Sequence, residues 1–154
     1  MKVLTLCIVR KEGRILLGLK KLRLGAGKLN CFGGNIEEGE TIEEAAKREV
    51  LEECGITVAA VRKVARLSFV SPLRPEIDLH VFEATEFSGE PVETDEMAPA
   101  WYEESEMPYD RMWSSDAYWL PPVLAGKCVS GTIAFDAEDK VVERNLTEAD
   151  TLAG

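Results

Sequence analysis

Glu49, Glu52 and Glu53 stand at positions i, i+3 and i+4, a spacing that gathers three carboxylates on one face of an α-helix. Ile42, Ala45 and Ala46 mark the apolar stripe such a helix would bury, and the acidic face overlaps it. Glu43, Glu44 and Lys47 fall on the opposite side and read as solvated surface. Like charges held beside an apolar stripe repel one another and lose hydration. A divalent cation offsets both costs, and an all-carboxylate set suits a hard ion such as Mg²⁺, with Mn²⁺ as a substitute. The chemistry open to such a site is neutralisation of phosphate charge and activation of a water molecule.

The flanking residues are the types needed to position these groups. Thr41 is placed as the N-cap of a helix starting at Ile42, Glu44 completes a capping box, and Gly55 sits where the helix would end in the left-handed conformation. Gly33-Gly34 and Gly39 permit a tight loop before the helix, and the helix N-terminus offers free N–H groups to a phosphate. Arg48, inside the acidic run, is expected to hold the carboxylates in place.

The 154 residues (17.0 kDa) are expected to form one domain, 1–154, large enough for a hydrophobic core. Strands are expected at Val3–Val9, Arg14–Lys20, within Val58–Val70, at Ile77–Phe82 and around Pro99–Tyr102, with loops at Gly25–Gly27 and Pro72–Pro75. A short helix is expected at Tyr118–Leu124, and a hairpin of Cys128–Phe135 with Lys140–Leu146. Several strands around one long helix indicate a mixed α+β fold, not a doubly wound parallel sheet.

A net charge of −10 argues against stable nucleic-acid or anionic-membrane partners, and it makes metal ions useful escorts for a polyphosphate. Cys7, Cys31, Cys54 and Cys128 are scattered and read as reduced, mostly buried thiols. The apolar run Val3–Val9 is too short for a signal peptide or a membrane span, so a cytoplasmic location is expected. Nothing points to an obligate protein partner.

Gly34, Glu40, Arg48-Glu49, Glu52-Glu53 and Gly55, with aliphatic Val50 and Ile56, occupy fixed offsets. Seven such types would coincide by chance at about one in 10⁸ start points. The pattern resembles the Nudix box of hydrolases that cleave nucleoside diphosphates linked to another group. The resemblance implies an α/β/α sandwich around a mixed sheet. It also implies magnesium ligands at Glu49, Glu52, Glu53 and the Gly33 carbonyl, one glutamate activating water, and Glu40 and Arg48 in support. Glu52 or Glu53 is the candidate general base.

Outlying segments around Thr5, Lys20-Lys21, Asn30, Asp78–Phe82, Pro91–Met97 and Met112–Trp119 are similar to the oxidised purine nucleoside triphosphatases of the MutT-homologue type. That likeness implies a base read by Asn30 and Asp116 between apolar walls at Trp113, Phe69, Met97 and Trp119. Thr5 and Lys20 would line the nucleoside entrance, and Glu96 would reach the metal. Phe32, Gly33, Gly34, Asn35 and Ser115 complete the implied substrate contacts.

Ser115 departs from the family's paired aspartates, and Leu24 from a pocket phenylalanine. The implied reaction is Mg²⁺-dependent release of monophosphate and pyrophosphate from nucleotides such as 8-oxo-dGTP or 2-hydroxy-dATP. The alternatives are a pyrophosphatase for ADP-ribose or dinucleoside polyphosphates, or a binding module without catalysis. From residue type alone, Trp113, Trp119, Phe69 and Met97 also fit a core, Asp116 a helix N-cap, and His80 a structural role.

Overall fold

The computed structural model describes residues 1–152. Among these described residues are ten strands: β1 (Lys2–Ile8), β2 (Arg10–Lys11), β3 (Arg14–Lys20), β4 (Leu29–Asn30), β5 (Phe32–Asn35), β6 (Thr57–Ser71), β7 (Arg74–Ser88), β8 (Met97–Glu103), β9 (Cys128–Phe135) and β10 (Val141–Ala149). Two α-helices join them, α1 (Ile42–Cys54) and α2 (Asp116–Leu124), with single 3₁₀ turns at Glu104–Glu106 and Tyr109–Arg111. The order β10-β9-β6-β7-β1-β5 builds a mixed sheet, parallel at β1/β7 and β6/β9 and antiparallel elsewhere. A smaller antiparallel sheet forms on β3, which pairs with β2, β4 and β8.

Strand alternation sends successive side chains to opposite faces. On β7, Leu79 and Val81 pack with Trp119, Leu120 and Val123 of α2. Phe82 and Ala84 pack with Ala46, Val50 and Cys54 of α1 on the other side. Each helix therefore covers one face of the mixed sheet, giving the expected α/β/α sandwich.

Local chemistry sets the limits of α1 as read. The Thr41 hydroxyl accepts from the Glu44 N–H at 3.1 Å, and the Glu44 carboxylate accepts from the Thr41 N–H at 2.9 Å. Gly55 closes the helix at φ +78°, a conformation glycine takes without a Cβ penalty. Replacing Thr41 with Ala is expected to cost about 1 kcal/mol. Urea unfolding would measure it, and an unchanged midpoint would show the cap to be dispensable.

Four elements differ from the sequence reading. Gly33 and Gly34, read as part of a loop, lie on β5 and pair with Leu6 and Thr5 of β1. The proline loop contracts to a turn at Pro72-Leu73, and Pro75 lies inside β7. Its missing N–H costs little there, because β1 begins to pair with β7 only at Ile77. Strand β10 runs on to Ala149, opposite Cys128. Helix α2 begins at Asp116, before Tyr118.

Candidate active site

Glu49 and Glu53 from α1 and Glu96 from the segment before β8 present carboxylate oxygens within 4.8 Å of one another. Glu53 is 4% exposed, and its Oε1 accepts from the Gly33 N–H at 2.8 Å. The close approach also depends on Gly34, where a Cβ would stand 2.6 Å from Glu49 Oε1.

Glu52 lies outside this cluster, with its side chain 49% exposed. Relative to Glu49, an i+4 step turns about 40° toward the buried stripe and an i+3 step about 60° away from it. The expectation that all three carboxylates face the apolar side is corrected accordingly: burial falls from Glu53 through Glu49 to Glu52.

Arg48 holds the surrounding acids. Its Nε donates to Glu40 Oε2 at 2.6 Å and its Nη2 to Glu40 Oε1 at 2.9 Å. Nη1 donates to Glu49 at 3.1 Å and to Glu52 at 3.2 Å, while Nη2 also reaches the Asn35 carbonyl at 2.9 Å. The hydrogen bonds from Arg48 hold the Glu40 carboxyl below its ordinary range. Burial, aided by the neighbouring Glu49 charge, pushes Glu53 up to about 8, and burial raises Glu49 as well. Arg48 offsets this rise at Glu49 only in part, and none of the ion pairs among the described residues involves Glu53. An all-oxygen donor set with that electrostatic need fits a hard divalent cation.

Glu53 also lines a cavity of about 210 Å³. Its walls include Phe69, Met97, Trp113 and Trp119, with Thr5, Lys20, Asn30, Ser115, Asp116, Gly33 and Gly34 also lining it. Leu24, at the family departure, is there too. Phe69 meets Phe135 edge-on at 5.5 Å.

Asp116 is buried, and its Oδ2 accepts from the Trp113 N–H at 3.1 Å while Oδ1 accepts from the Trp119 indole N–H at 3.0 Å. These bonds replace the N-cap role considered from sequence, since both donors are fixed by the base of α2 and the turn before it. Burial raises the Asp116 carboxyl to about 7, against the lowering effect of the two donors.

Two implied substrate contacts are not in the cavity wall. Phe32 is fully enclosed in the core on the α1 side, because its register partner on β1 is Cys7 of that face. Asn35 is exposed and lends its carbonyl to Arg48. Conversely, Leu4, Leu6, Arg74, Ile77, Leu79 and Cys31 line the cavity without having been singled out. The alternation of Leu4/Leu6 and Ile77/Leu79 is the same as that of packed core, so it held no separate signal. His80 stays structural: its Nδ1 lies 2.6 Å from Lys63 Nζ and its Nε2 lies 3.2 Å from Asp78 Oδ2. An ammonium only donates, so Nδ1 accepts and Nε2 carries the proton toward Asp78.

The model of the NUDIX domain matches residues 2–123. The chain belongs to the Nudix family. Its similarity to the oxidized purine nucleoside triphosphate hydrolase of Danio rerio is 44% identity over 152 residues, covering 98% of this chain and 97% of that protein. The protein of that name from Mus musculus is 41% identical over 151 residues, covering 97% of each. Among solved structures, the Mutator MutT protein from Bacillus halodurans superposes with a TM-score of 0.84 at 30% identity, covering 95% of this chain and 97% of that one. This Nudix chain thus carries its box from the end of β5 through the following loop and α1. Among the described residues no helix is long and apolar enough to cross a membrane.

Proposed function

We propose that this Nudix hydrolase converts oxidised purine nucleoside triphosphates, of the 8-oxo-dGTP and 2-hydroxy-dATP type, to monophosphate and pyrophosphate. The observation that carries the reading is a single cavity lined both by Asp116, among aromatic walls, and by Glu53, in the carboxylate cluster. A base held at one and phosphates brought to the other fit a nucleotide. The relatives named for that activity cover nearly the whole chain.

In this reading Glu49, Glu53 and Glu96, with Glu52 and the Gly33 carbonyl, hold Mg²⁺. The ion would neutralise phosphate charge and acidify water when bound. Glu53, anchored by the Gly33 N–H, is the favoured proton acceptor. Arg48 fixes Glu40, Glu49 and Glu52 in orientation. Asn30 and Asp116 read the base edge, Trp113 and Phe69 flank it, and Thr5 and Lys20 line the nucleoside entrance. Trp119 orients Asp116 through its indole N–H. Such an enzyme would cleanse the cytoplasmic nucleotide pool.

Pyrophosphate release from a panel of oxidised and normal purine triphosphates, in isotope-labelled water with Mg²⁺, tests this reading and locates the attacked phosphorus. ADP-ribose and a dinucleoside polyphosphate belong in the panel, followed through their nucleotide products because neither releases pyrophosphate, and faster cleavage of either would overturn the assignment. Removing the Trp113 indole by Trp113→Ala is expected to weaken purine binding by about tenfold or more, the scale of a lost stacking contact. An unchanged KM for every purine nucleotide would remove Trp113 from the base site.

A further inference from the structure

Trp113 is held from outside the Nudix box. Lys28 Nζ lies 5.2 Å from its ring centroid, and Arg74 Cζ lies 5.7 Å from it. Arg74, the first residue of β7, also lines the cavity. Its guanidinium makes a two-pronged pair with Asp139, at 2.7 Å from Nη1 to Oδ1 and 3.1 Å from Nη2 to Oδ2. This geometry fixes orientation as well as charge.

Asp139 is itself anchored in the turn between β9 and β10. The Asp136 carboxylate accepts from the Glu138 and Lys140 N–H groups at 2.8 and 3.0 Å. Asp139 takes φ +61°, a left-handed conformation that Asp and Asn tolerate best among residues with a Cβ. Its carbonyl accepts from the Ser114 hydroxyl at 2.7 Å, at the residue next to Trp113. Asp139 therefore ties together the β6–β7 turn, the β9–β10 turn and the segment leading into α2. The Arg74 hydrogen bonds hold its carboxyl below the ordinary range.

We propose that Arg74 and Asp139 form a clamp that positions Trp113, so that the β9–β10 turn sets the affinity of the cavity for its base. The inference rests on the reading of Trp113 as a wall of the base site. Arg74 and Asp139 act as positioning residues: they set where the indole stands and leave the carboxylate cluster untouched.

The test compares KM and kcat on 8-oxo-dGTP for Arg74→Ala, Asp139→Asn, their double variant and Trp113→Ala. Asp139→Asn keeps a residue that tolerates the left-handed turn and keeps the carbonyl bonded to Ser114, so it isolates the ion pair. Each single variant is expected to raise KM about fivefold, with kcat changed less than twofold, within the range of couplings between contacting residues. The double variant should be no worse than either single. Quenching of indole fluorescence by iodide should rise with KM.

Additive losses in the double variant, or unchanged KM in both singles while Trp113→Ala raises it, would overturn the clamp. An unchanged KM in Trp113→Ala would sink the base-wall reading first, and the clamp with it. If Arg74→Ala fails to fold, Arg74→Lys tests the same claim, because it keeps the charge and loses the two-pronged geometry.

Discussion

Glu53→Gln is expected to lower kcat by about 10³-fold or more, combining the loss of a metal ligand and of the favoured base. The substitution is nearly isosteric, and a Gln carbonyl can still accept from the Gly33 N–H that now bonds Glu53. What disappears is the negative charge, so folding should survive.

The pH dependence of stability checks the same residue. Burial raises Glu53 to about 8 in the metal-free protein, so the folded state holds this proton more tightly than the unfolded chain. Stability therefore falls as pH rises from the ordinary carboxylate range toward about 8, and Glu53→Gln should remove that fall. In a chelator the variant should melt higher than wild type at pH 8, relative to their difference at pH 5. Added Mg²⁺ should stabilise wild type by mass action and the variant much less.

Glu52→Gln should cost less, on the order of tenfold, since Arg48 already neutralises an exposed Glu52. Near-normal turnover in Glu53→Gln would contradict the assigned site. Equal losses at Glu52 and Glu53 would show that Glu52 is as central a metal ligand as Glu53.

The contrast between these two glutamates shows where sequence reading stops. The boundaries of α1 were legible because they depend on local chemistry: Thr41, Glu44 and Gly55 each act within one turn of the chain. The gathering of Glu49 and Glu53 toward the buried side was legible too, whereas the expectation for Glu52 on that side failed. The gradation among the three was not legible, because it depends on where the sheet lies against the helix. Glu96 entered only through family resemblance, being 43 residues from Glu53 along the chain, by the difference of their numbers.

The cavity was the hardest part to read. Leu4, Leu6, Ile77 and Leu79 alternate as any strand packed on a core would, and only the three-dimensional arrangement leaves space beside them. Arg74 and Asp139 are separated by 65 residues. The register of β6 against β7, with four irregularities, decides where Arg74 falls. No motif encodes either fact. Of the residues the family likeness singled out, Asn30, Trp113 and Asp116 line the cavity, and Phe32 and Asn35 do not.

Asp116→Asn should separate recognition from stability. A carboxylate locked by the Trp113 N–H and the Trp119 indole accepts hydrogen bonds and offers its remaining lone pairs to the cavity. It therefore suits a base edge that presents donors, as the N1–H and amino group of guanine do. An Asn amide would set its own donors against those groups. The expected loss in kcat/KM on 8-oxo-dGTP is about 10- to 100-fold, the range for a hydrogen bond to a charged acceptor.

Ser115 beside Asp116 can donate or accept but adds no second acid. Binding of a donor-rich edge should accordingly weaken as pH falls below about 7, where Asp116 takes up its proton. Stability moves the other way. Burial holds the folded-state pKa above the ordinary carboxylate range, so the protein loses stability from about pH 4 to about 7 as this buried group ionises. Measured in chelator, the difference in urea midpoint between wild type and Asp116→Asn should shift in the variant's favour across that window and stay level above it. The comparison cancels any constant cost of the mispaired amide and the titration of Glu53, which both proteins share. A difference independent of pH would show that Asp116 ionises in the fold as freely as in the unfolded chain, and its burial would then have no consequence for the base site.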